Sequence, residues 1–317
     1  MNQLILHHYP ESPFAEKVRL MFGHKGLAWQ SVCIPIVMPK PDLIALTGGY
    51  RRTPVLQVGA DIYCDTALIA RVLDRLHPGP ALFSDHTALS DMAMSHFLDT
   101  QLFSAAVTYA FQPDGVKAAL AHMTPAQVQA LVEDRKNFRK GGNAPRMPLP
   151  DALVLLRNVL PRLEAQLADE RPFLDGSAAR ICDFSAYHPL WFIERAGPLA
   201  AILDPYPHLR GWLGRMRAIG HGQPQTMEAG QAIEIARAAE PAMQPGRSNR
   251  EQDGFGVGDL VSVAPTDYGV DPVIGTLTNV EADSLAVRRT DPRAGDVVVH
   301  FPRLGFRVDP AQGQSAG

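Results

Sequence analysis

The first 80 residues alternate short apolar runs with amphipathic helical stretches, and this alternation constrains the fold more than any other feature of the chain. The elements follow in the order β-α-β-α-β-β-α, at residues 4–8, 13–25, 28–36, 42–46, 54–58, 62–64 and 66–77. Two apolar runs separated by one helix are the pattern of a right-handed βαβ unit. Gly59-Ala60-Asp61 marks a tight antiparallel hairpin. The order predicts a compact α/β domain over residues 1–80, bounded by Pro78-Gly79-Pro80.

The pattern changes after this domain. Residues 87–243 show repeated amphipathic helical stretches with few strand signals, which predicts an all-helical second domain. Residues 244–254 are rich in Gly, Arg, Ser, Asn and Gln, which is typical of a linker. Short β-prone runs separated by Gly, Pro and Asp then predict a small antiparallel β domain over 253–310. Because a unit of roughly 55 residues buries little apolar surface, we expect it to dock on the rest of the chain.

The composition argues against several classes of protein. The 317 residues carry a formal net charge of −3 with no long run of either sign, unlike a typical nucleic-acid or membrane-surface protein. Three scattered cysteines, Cys33, Cys64 and Cys182, give neither a disulfide framework nor metal-ligand spacing, so we expect no bound metal. Met1-Asn2-Gln3 lacks the positive charge of a signal peptide, and no apolar segment approaches ~20 residues. We therefore expect a soluble, cytoplasmic protein with no membrane or nucleic-acid partner.

Three short blocks in the first domain point to a binding site. They are Ser12-Pro13-Phe14-Ala15-Glu16-Lys17-Val18-Arg19-Leu20, Arg51-Arg52-Thr53-Pro54-Val55-Leu56 and Asp65-Thr66-Ala67-Leu68-Ile69. In sequence and spacing these blocks resemble the glutathione site of tau- and omega-type glutathione transferases. The resemblance covers residues 3–83 well and the helical region to about 240 by pattern, whereas the tail from 253 is not part of the common family architecture.

The resemblance implies a thioredoxin-like N-terminal domain followed by a transferase-type helical bundle. It also implies glutathione as co-substrate and a homodimer. The tail is expected to form an SH3-like or small β-barrel extension.

Ser12 is the first candidate for a catalytic residue. A thiolate is favoured near a helix N-terminus, where free N–H groups and the helix dipole stabilise negative charge, and the Ser12 hydroxyl can donate a hydrogen bond to it. Serine is also a common N-cap, so the same residue can simply cap its helix. Tyr9, in the same turn, is the second candidate. Ser12 and Ala15 stand where a C-x-x-C motif has its cysteines, which argues against disulfide exchange.

The resemblance assigns glutathione contacts to Phe14, Arg52, Thr53, Pro54, Asp65 and Thr66. It implies a cis bond before Pro54, which turns the backbone of Thr53 toward the cysteinyl part of the tripeptide; the alternative is a trans proline opening an edge strand. Asp65 is expected to pair with the γ-glutamyl ammonium, with Thr66 and helix N–H groups on its carboxylate, although Asp65 also suits a simple N-cap. Arg52, or its neighbour Arg51, is expected to attract the glycyl carboxylate.

These observations predict an enzyme in which a glutathione thiolate attacks an electrophilic carbon of an apolar substrate. Conjugation, thioether cleavage and isomerisation share this first step. Phe103, Tyr109 and Phe111 either line the acceptor pocket or pack in the core of the helical domain. The alternative is a non-catalytic glutathione-binding or interaction protein that retains the fold, with the tail as an interaction module or a cover for the cleft.

Overall fold

The computed structural model describes residues 3–84, 86–242 and 254–311. The N-terminal domain is thioredoxin-like, and its elements follow the predicted order. They are β1 (Leu4–His8), α1 (Pro13–His24), β2 (Ala28–Cys33), α2 (Pro41–Thr47), β3 (Val55–Val58), β4 (Asp61–Cys64) and α3 (Thr66–Leu76). β1 pairs in parallel with β2 and antiparallel with β3, and β3 pairs antiparallel with β4.

β1 is buried on both faces of the sheet, which explains why its sequence is a continuous apolar run. Leu4 and Leu6 face a hydrophobic cluster formed with α1, α3 and the second domain, whereas Ile5 faces a cluster formed with α2 and the C-terminal strands. This division follows from the two-residue period of a strand. The sheet therefore separates two cores, and each core ties the N-terminal domain to a different part of the chain.

The second domain is helical. Its elements are α4 (Ala88–Phe97), a π-helical turn (Leu98–Leu102), α5 (Phe103–Ala110), α6 (Pro113–Ala119), α7 (Pro125–Arg139), α8 (Leu149–Leu167), α9 (Ile181–Glu194), a 3₁₀ segment (Gly197–Leu203) and α10 (Pro207–Ala218). The buried Asp183 carboxylate fixes the start of α9, because it accepts hydrogen bonds from Arg180 N–H (3.0 Å), Leu174 N–H (2.8 Å) and the Trp212 indole (2.8 Å). In the described ranges, no helix is long and apolar enough to cross a membrane.

Residues 223–238 depart from the helical pattern expected of the second domain. Gln223–Thr226 forms β5, which pairs in parallel with β2, and Ala229–Ala238 forms α11, which packs against α2. All four residues of β5 are exposed and one is proline, so they carry no strand signal of their own. The strand forms because the edge of β2 offers partners, beginning with a 2.9 Å hydrogen bond from Gln223 N–H to Leu27 O. This segment extends the N-terminal sheet rather than the helical bundle.

The C-terminal unit is β-rich, as predicted. In the part of the chain that the structure describes, it comprises the antiparallel strands β6 (Leu260–Pro265), β7 (Val273–Val280), β8 (Ser284–Asp291), β9 (Gly295–Pro302) and β10 (Phe306–Pro310). Their order is β10-β6-β7-β8-β9, and β9 pairs in parallel with β4, so these strands continue the N-terminal sheet. The predicted linker at 244–254 lies outside the described residues, apart from Gly254.

The C-terminal unit docks on the N-terminal domain, as expected for a unit of its size. The fully buried ring of Phe301 lies 6.1 Å from the ring of Tyr50 and 5.5 Å from that of Phe306. At the seam between the two strands, His300 Nε2 lies 2.7 Å from the Asp61 carboxylate. The two units thus share one core and a buried polar contact.

Arginines of the C-terminal unit take part in contacts within the chain. Arg289 donates a 2.6 Å hydrogen bond to the carbonyl of Ala45, and Arg293 pairs with Asp42 at 2.5 Å, so both bind α2. Arg307 pairs with an acidic residue of its own strand at 2.6 Å. Each of these three arginines therefore has a carboxylate or carbonyl partner within the chain.

We expect Phe301→Ala to lower the free energy of unfolding by about 3–5 kcal/mol, because it opens a cavity in the shared core. Since this core joins both units, the loss should appear in one cooperative transition, followed by circular dichroism during urea unfolding. Leu304→Ala is a matched control: the side chain is 68% exposed, and the change should be within about 0.5 kcal/mol. Two separate transitions, of which Phe301→Ala moves one, would contradict a shared core.

Candidate functional site

The pairing of β1, β3 and β4 brings the three sequence blocks to one end of the sheet. His7 of β1 stands opposite Val55 of β3, and Val55 stands opposite Cys64 of β4. The first block follows the carboxyl end of β1, the second precedes β3 and the third follows β4. Because β3 runs antiparallel to both neighbours, the three segments that adjoin His7, Val55 and Cys64 all leave the sheet at the same end. The structure thus places Ser12, Pro54 and Asp65 at the same end of the sheet.

Ser12 is the N-cap of α1. It is almost fully buried, and its Oγ accepts a 3.2 Å hydrogen bond from Ala15 N–H. Pro13 takes the first helical position, where its missing N–H costs nothing. Among the described residues, the Ser12 hydroxyl donates no hydrogen bond. The capping role is therefore real, and it leaves one hydrogen available for donation at the helix N-terminus.

The Thr53–Pro54 bond is cis, as the resemblance implies. Beside it lies Lys40, which the sequence analysis missed. The buried Lys40 ammonium is 3.4 Å from Thr53 Oγ1 and from the carbonyl of Arg51, and 5.6 Å from the ring centroid of Tyr9. Burial, reinforced by nearby arginines, lowers the pKa of Lys40 to about 8. One feature of the sequence could have drawn attention to Lys40. It directly precedes α2, where a cation opposes the helix dipole.

Asp65 caps α3 from a strained backbone conformation. Its φ of 75° is uncommon for a residue other than glycine, and such positions concentrate at functional sites. Oδ1 accepts a 2.9 Å hydrogen bond from Ala67 N–H. Burial raises the pKa of Asp65, while the Ala67 N–H and the charge of Arg52 oppose that rise. Thr66 is buried at the first helical position. Asp65 therefore acts as an N-cap, which was the alternative to a binding role. Its second oxygen, Oδ2, accepts no hydrogen bond from the described residues.

The two arginines before Pro54 have different partners, and both are engaged within the chain. Arg51 is buried and pairs with Asp134 of α7. Arg52 pairs with Asp267 in the loop between β6 and β7, and its Nε donates a 3.0 Å hydrogen bond to the carbonyl of Tyr268. The guanidinium of Arg52 also lies 4.2 Å from the centroid of the Tyr268 ring. The cation expected to attract a glycyl carboxylate is therefore held by the C-terminal unit.

Tyr9 directs its hydroxyl toward α7. The guanidinium of Arg135 donates to that hydroxyl at 3.5 Å and to the carbonyl of Ile36 at 3.3 Å. The hydroxyl of Tyr9 thus has a cationic neighbour in the helical domain, whereas Ser12 keeps its hydrogen free at the start of α1. This difference keeps Ser12 ahead of Tyr9 as the candidate donor.

A buried ion network lies between α1 and the helical domain. The fully buried Lys17 ammonium is 2.6 Å from one oxygen of Asp99, in the π-helical turn, and His188 Nε2 is 3.0 Å from the other. Burial alone would raise the pKa of Asp99, but Lys17 and His188 outweigh it and lower the pKa to about 2. Burial lowers the pKa of His188, so its ring is neutral at pH 7. Lys17 and Asp99 also act on the pKa of Asp65, which places them in the electrostatic surroundings of the site.

Phe14 packs at the interface between the first two domains. Its ring lies 4.5 Å from that of His188 and 4.6 Å from that of Phe103. Tyr109 is buried and donates a hydrogen bond within the helical domain, so the core interpretation holds for it. Phe111 is 48% exposed. Of the three aromatic residues considered for an acceptor pocket, Phe103 therefore lies beside the first block.

One group of side chains in the helical domain has ligand atoms within 4.8 Å of one another: Asp91, Asp175 and Cys182. Asp91 already accepts a 2.9 Å hydrogen bond from the Thr87 hydroxyl. Burial raises the pKa of Cys182 to about 12, so the thiol is protonated at neutral pH. The Asp91 carboxylate is thus engaged at the start of α4, beside Thr87.

Comparison with known proteins identifies the family. The glutathione S-transferase N-terminal domain matches residues 6–81, and the glutathione S-transferase C-terminal domain matches residues 125–215. The crystal structure of a GST-like protein from Pseudomonas syringae matches with 42% sequence identity and a TM-score of 0.82, over 98% of this chain and 100% of that one. The chain belongs to the glutathione S-transferase superfamily.

The match to the Pseudomonas syringae member of the superfamily is long enough to include the C-terminal strands. A tau-class glutathione S-transferase from mango, Mangifera indica, matches with 14% identity and a TM-score of 0.50, over 74% of this chain and 97% of that one. At that identity the similarity shows the fold alone. No curated protein matches the sequence significantly.

We expect Asp99→Asn to lower the free energy of unfolding at pH 7 by about 3 kcal/mol, because it leaves the buried Lys17 ammonium without its counter-charge. The folded-state pKa of about 2 lies below the ordinary 3.8, so the contribution of Asp99 is complete above about pH 4 and is lost as the pH falls toward 2. Urea unfolding at several pH values measures the difference between variant and wild type, which should shrink in acid.

Asp204→Asn is the matched control for this network, since it removes an exposed pair with Arg210 and should cost less than about 1 kcal/mol. If Asp99→Asn were as stable as the wild type at pH 7, the stabilising role of the network would be refuted.

Proposed function

We propose that this chain binds glutathione at the Ser12 end of its N-terminal sheet, stabilises its thiolate and adds it to an apolar electrophile. The observation that carries the proposal is the unused hydroxyl hydrogen of Ser12 at the N-terminus of α1. The hydroxyl and the helix dipole both favour a nearby anion. A thiol with a pKa of about 8.5 is only a few per cent thiolate at pH 7, and lowering its pKa by about two units makes most of it reactive.

The charged groups around Ser12 suit the two ends of the tripeptide. We assign the γ-glutamyl ammonium to Asp65, and the adjoining carboxylate to the Thr66 hydroxyl and the N–H groups that open α3. The backbone of Thr53 is assigned to the cysteinyl part. Lys40 joins Arg52 as a cation for the glycyl carboxylate, which adds one residue to the set expected from sequence. An acid at one end and cations at the other would fix the direction of the bound peptide.

The acceptor substrate is assigned to the face between the first two domains, where Phe14 and Phe103 meet. An apolar electrophile suits such aromatic surroundings. Conjugation, thioether cleavage and isomerisation all begin with attack by the thiolate, and the proposal covers these three classes. The usual state of the superfamily, a cytoplasmic homodimer, is our expectation for this chain.

A second candidate function is non-catalytic glutathione binding or a role as an interaction protein. The observation that favours it is the contact of Arg52 with Asp267 and Tyr268, because the C-terminal unit engages a cation of the proposed site. A covered cleft would admit substrates slowly or incompletely. Turnover separates the two candidates.

Kinetics with glutathione and a panel of apolar electrophiles test the proposal. We expect Ser12→Ala to lower kcat/KM by roughly 100-fold, the usual cost of removing one hydrogen-bond donor to a reacting anion. The same variant should raise the pKa of the bound thiol, followed by the ultraviolet absorbance of the thiolate. Tyr9→Phe should leave kcat/KM nearly unchanged.

Ser12→Thr, which keeps a hydroxyl and a cap, is the control and should retain most activity. Because Ser12→Ala also loses about 1 kcal/mol of capping, thermal unfolding must show that the variant is folded at the assay temperature. An active Ser12→Ala with an inactive Tyr9→Phe would transfer the role to Tyr9. Glutathione binding without turnover of any electrophile would favour the second candidate.

Lys40 gives the site a pH dependence. Because its pKa is lowered to about 8, its charge is present at pH 7 and is lost as the pH rises through 8. We expect the affinity for S-methylglutathione, which has no thiol to titrate, to fall between pH 7 and pH 9. Isothermal titration calorimetry measures this fall. Lys40→Arg keeps its charge over this range and should show a smaller fall. Identical pH profiles for the two proteins would remove Lys40 from the site.

A further inference from the structure

The loop between β6 and β7, residues 266–272, lies along the chain segment that leads into Pro54. The carbonyl of Pro272 lies so close to Gly49 that a Cβ there would stand 2.6 Å from it. A few residues on, Arg52 contacts both Asp267 and Tyr268. The loop therefore follows the segment that carries Arg51 and Arg52.

The same loop is fixed on its other side by the helical domain. The N–H of Gly269 donates to the carbonyl of Phe138 at 2.6 Å, and the N–H of Ala144 donates to the carbonyl of Asp267 at 3.0 Å. A Cβ at Gly142 would lie 1.9 Å from the carbonyl oxygen of Asp267, so only glycine allows this approach. The backbone of the loop is thus held between two domains, which positions the Asp267 side chain against Arg52.

The Asp267–Arg52 contact has the chemistry of a glycyl carboxylate bound to an arginine. A carboxylate on a planar guanidinium is a strong, charge-assisted pair, and the same donors cannot serve a second carboxylate fully. Tyr268 adds its carbonyl and its ring to the same guanidinium. Arg52 therefore has few donors left for an incoming anion.

We propose that Asp267 is a specificity-determining residue of the thiol site, whose carboxylate competes with the glycyl carboxylate of glutathione for Arg52. This inference rests on the proposed function. It adds a residue from the C-terminal unit to a site otherwise built by the first domain. The consequence is selectivity. The wild-type protein binds a peptide with a free glycyl carboxylate less tightly than it would without Asp267, whereas a ligand that lacks this carboxylate loses no affinity to the competition.

The outer side of Asp267 explains how the carboxylate can be displaced. Asp267 also lines an open cavity of about 460 Å³ whose other charged side chains are all basic: Lys136, Arg139, Lys140 and Arg146. When a glycyl carboxylate takes Arg52, Asp267 can turn toward these cations instead of becoming an unpaired charge. Binding is then an exchange of ion pairs rather than the loss of one.

The test is isothermal titration calorimetry of the full chain with glutathione and with its glycine monoethyl ester, which lacks the competing carboxylate. We expect Asp267→Asn to bind glutathione about tenfold more tightly than the wild type, while its affinity for the ester changes less than about twofold. Asp271→Asn, on the same loop and exposed, is the matched control and should change neither affinity. In an Arg52→Gln background, Asp267→Asn should give no gain for glutathione.

Unchanged or weaker glutathione binding by a folded Asp267→Asn protein would overturn the inference and leave the proposed function standing. An equal gain for glutathione and the ester would also overturn it, since that pattern reports a general opening of the loop. If neither ligand binds the wild type or any variant, both the proposed function and the inference fail. Circular dichroism of each variant establishes that the affinities compare folded proteins.

Discussion

The parallel pairing of β9 with β4 is the interaction on which the rest of the structure depends. Without it, β4 would be an edge strand with unpaired N–H and C=O groups, and the cluster around Phe301 would face water. The pairing also brings the C-terminal unit against α2, where Arg289 and Arg293 bind. From that position the loop between β6 and β7 reaches Arg52. One strand contact thus connects the stability of the C-terminal unit to the composition of the site.

The acidic and basic groups at this end of the sheet lie on different chain segments. Asp65 stands at the start of α3, whereas Lys40 stands at the start of α2, and Arg51 and Arg52 lie on the segment between α2 and Pro54. The proposed function uses these groups to orient a peptide that has an ammonium at one end and a carboxylate at the other. Ser12 follows β1, and β3 lies between β1 and β4, so the segment that carries Pro54 lies between those of Ser12 and Asp65.

The features that depend on local sequence could be predicted from it. Ser12 followed by proline specifies a capped helix start, and the block around Pro54 is continuous in the chain. The partners of Lys17, Arg51 and Arg52 could not be predicted in this way. In the sequence they stand 82, 83 and 215 or 216 positions away, respectively. They depend on how three units pack, and a single sequence carries no local signal of that packing.

The same reason explains the element that the sequence analysis did not anticipate. The strand Gln223–Thr226 is polar, exposed and contains proline, and it exists because β2 presents a free edge to it. The five C-terminal strands were predictable because each has its own β-prone run. Their attachment to β4 was not predictable, because the same local pattern is compatible with docking on either edge of the N-terminal sheet or on neither edge.

Burial affects the lysine and the arginines of the site differently, and their partners follow from that difference. Arginine keeps its charge at any accessible pH, so a buried guanidinium requires a counter-charge, which Asp134 and Asp267 supply to Arg51 and Arg52. Lysine can release its proton, and Lys40, with a pKa lowered to about 8, has neutral oxygen atoms as hydrogen-bond partners. Among these three cations, Lys40 is therefore the one without a carboxylate on it and the one best placed to gain from an incoming anion.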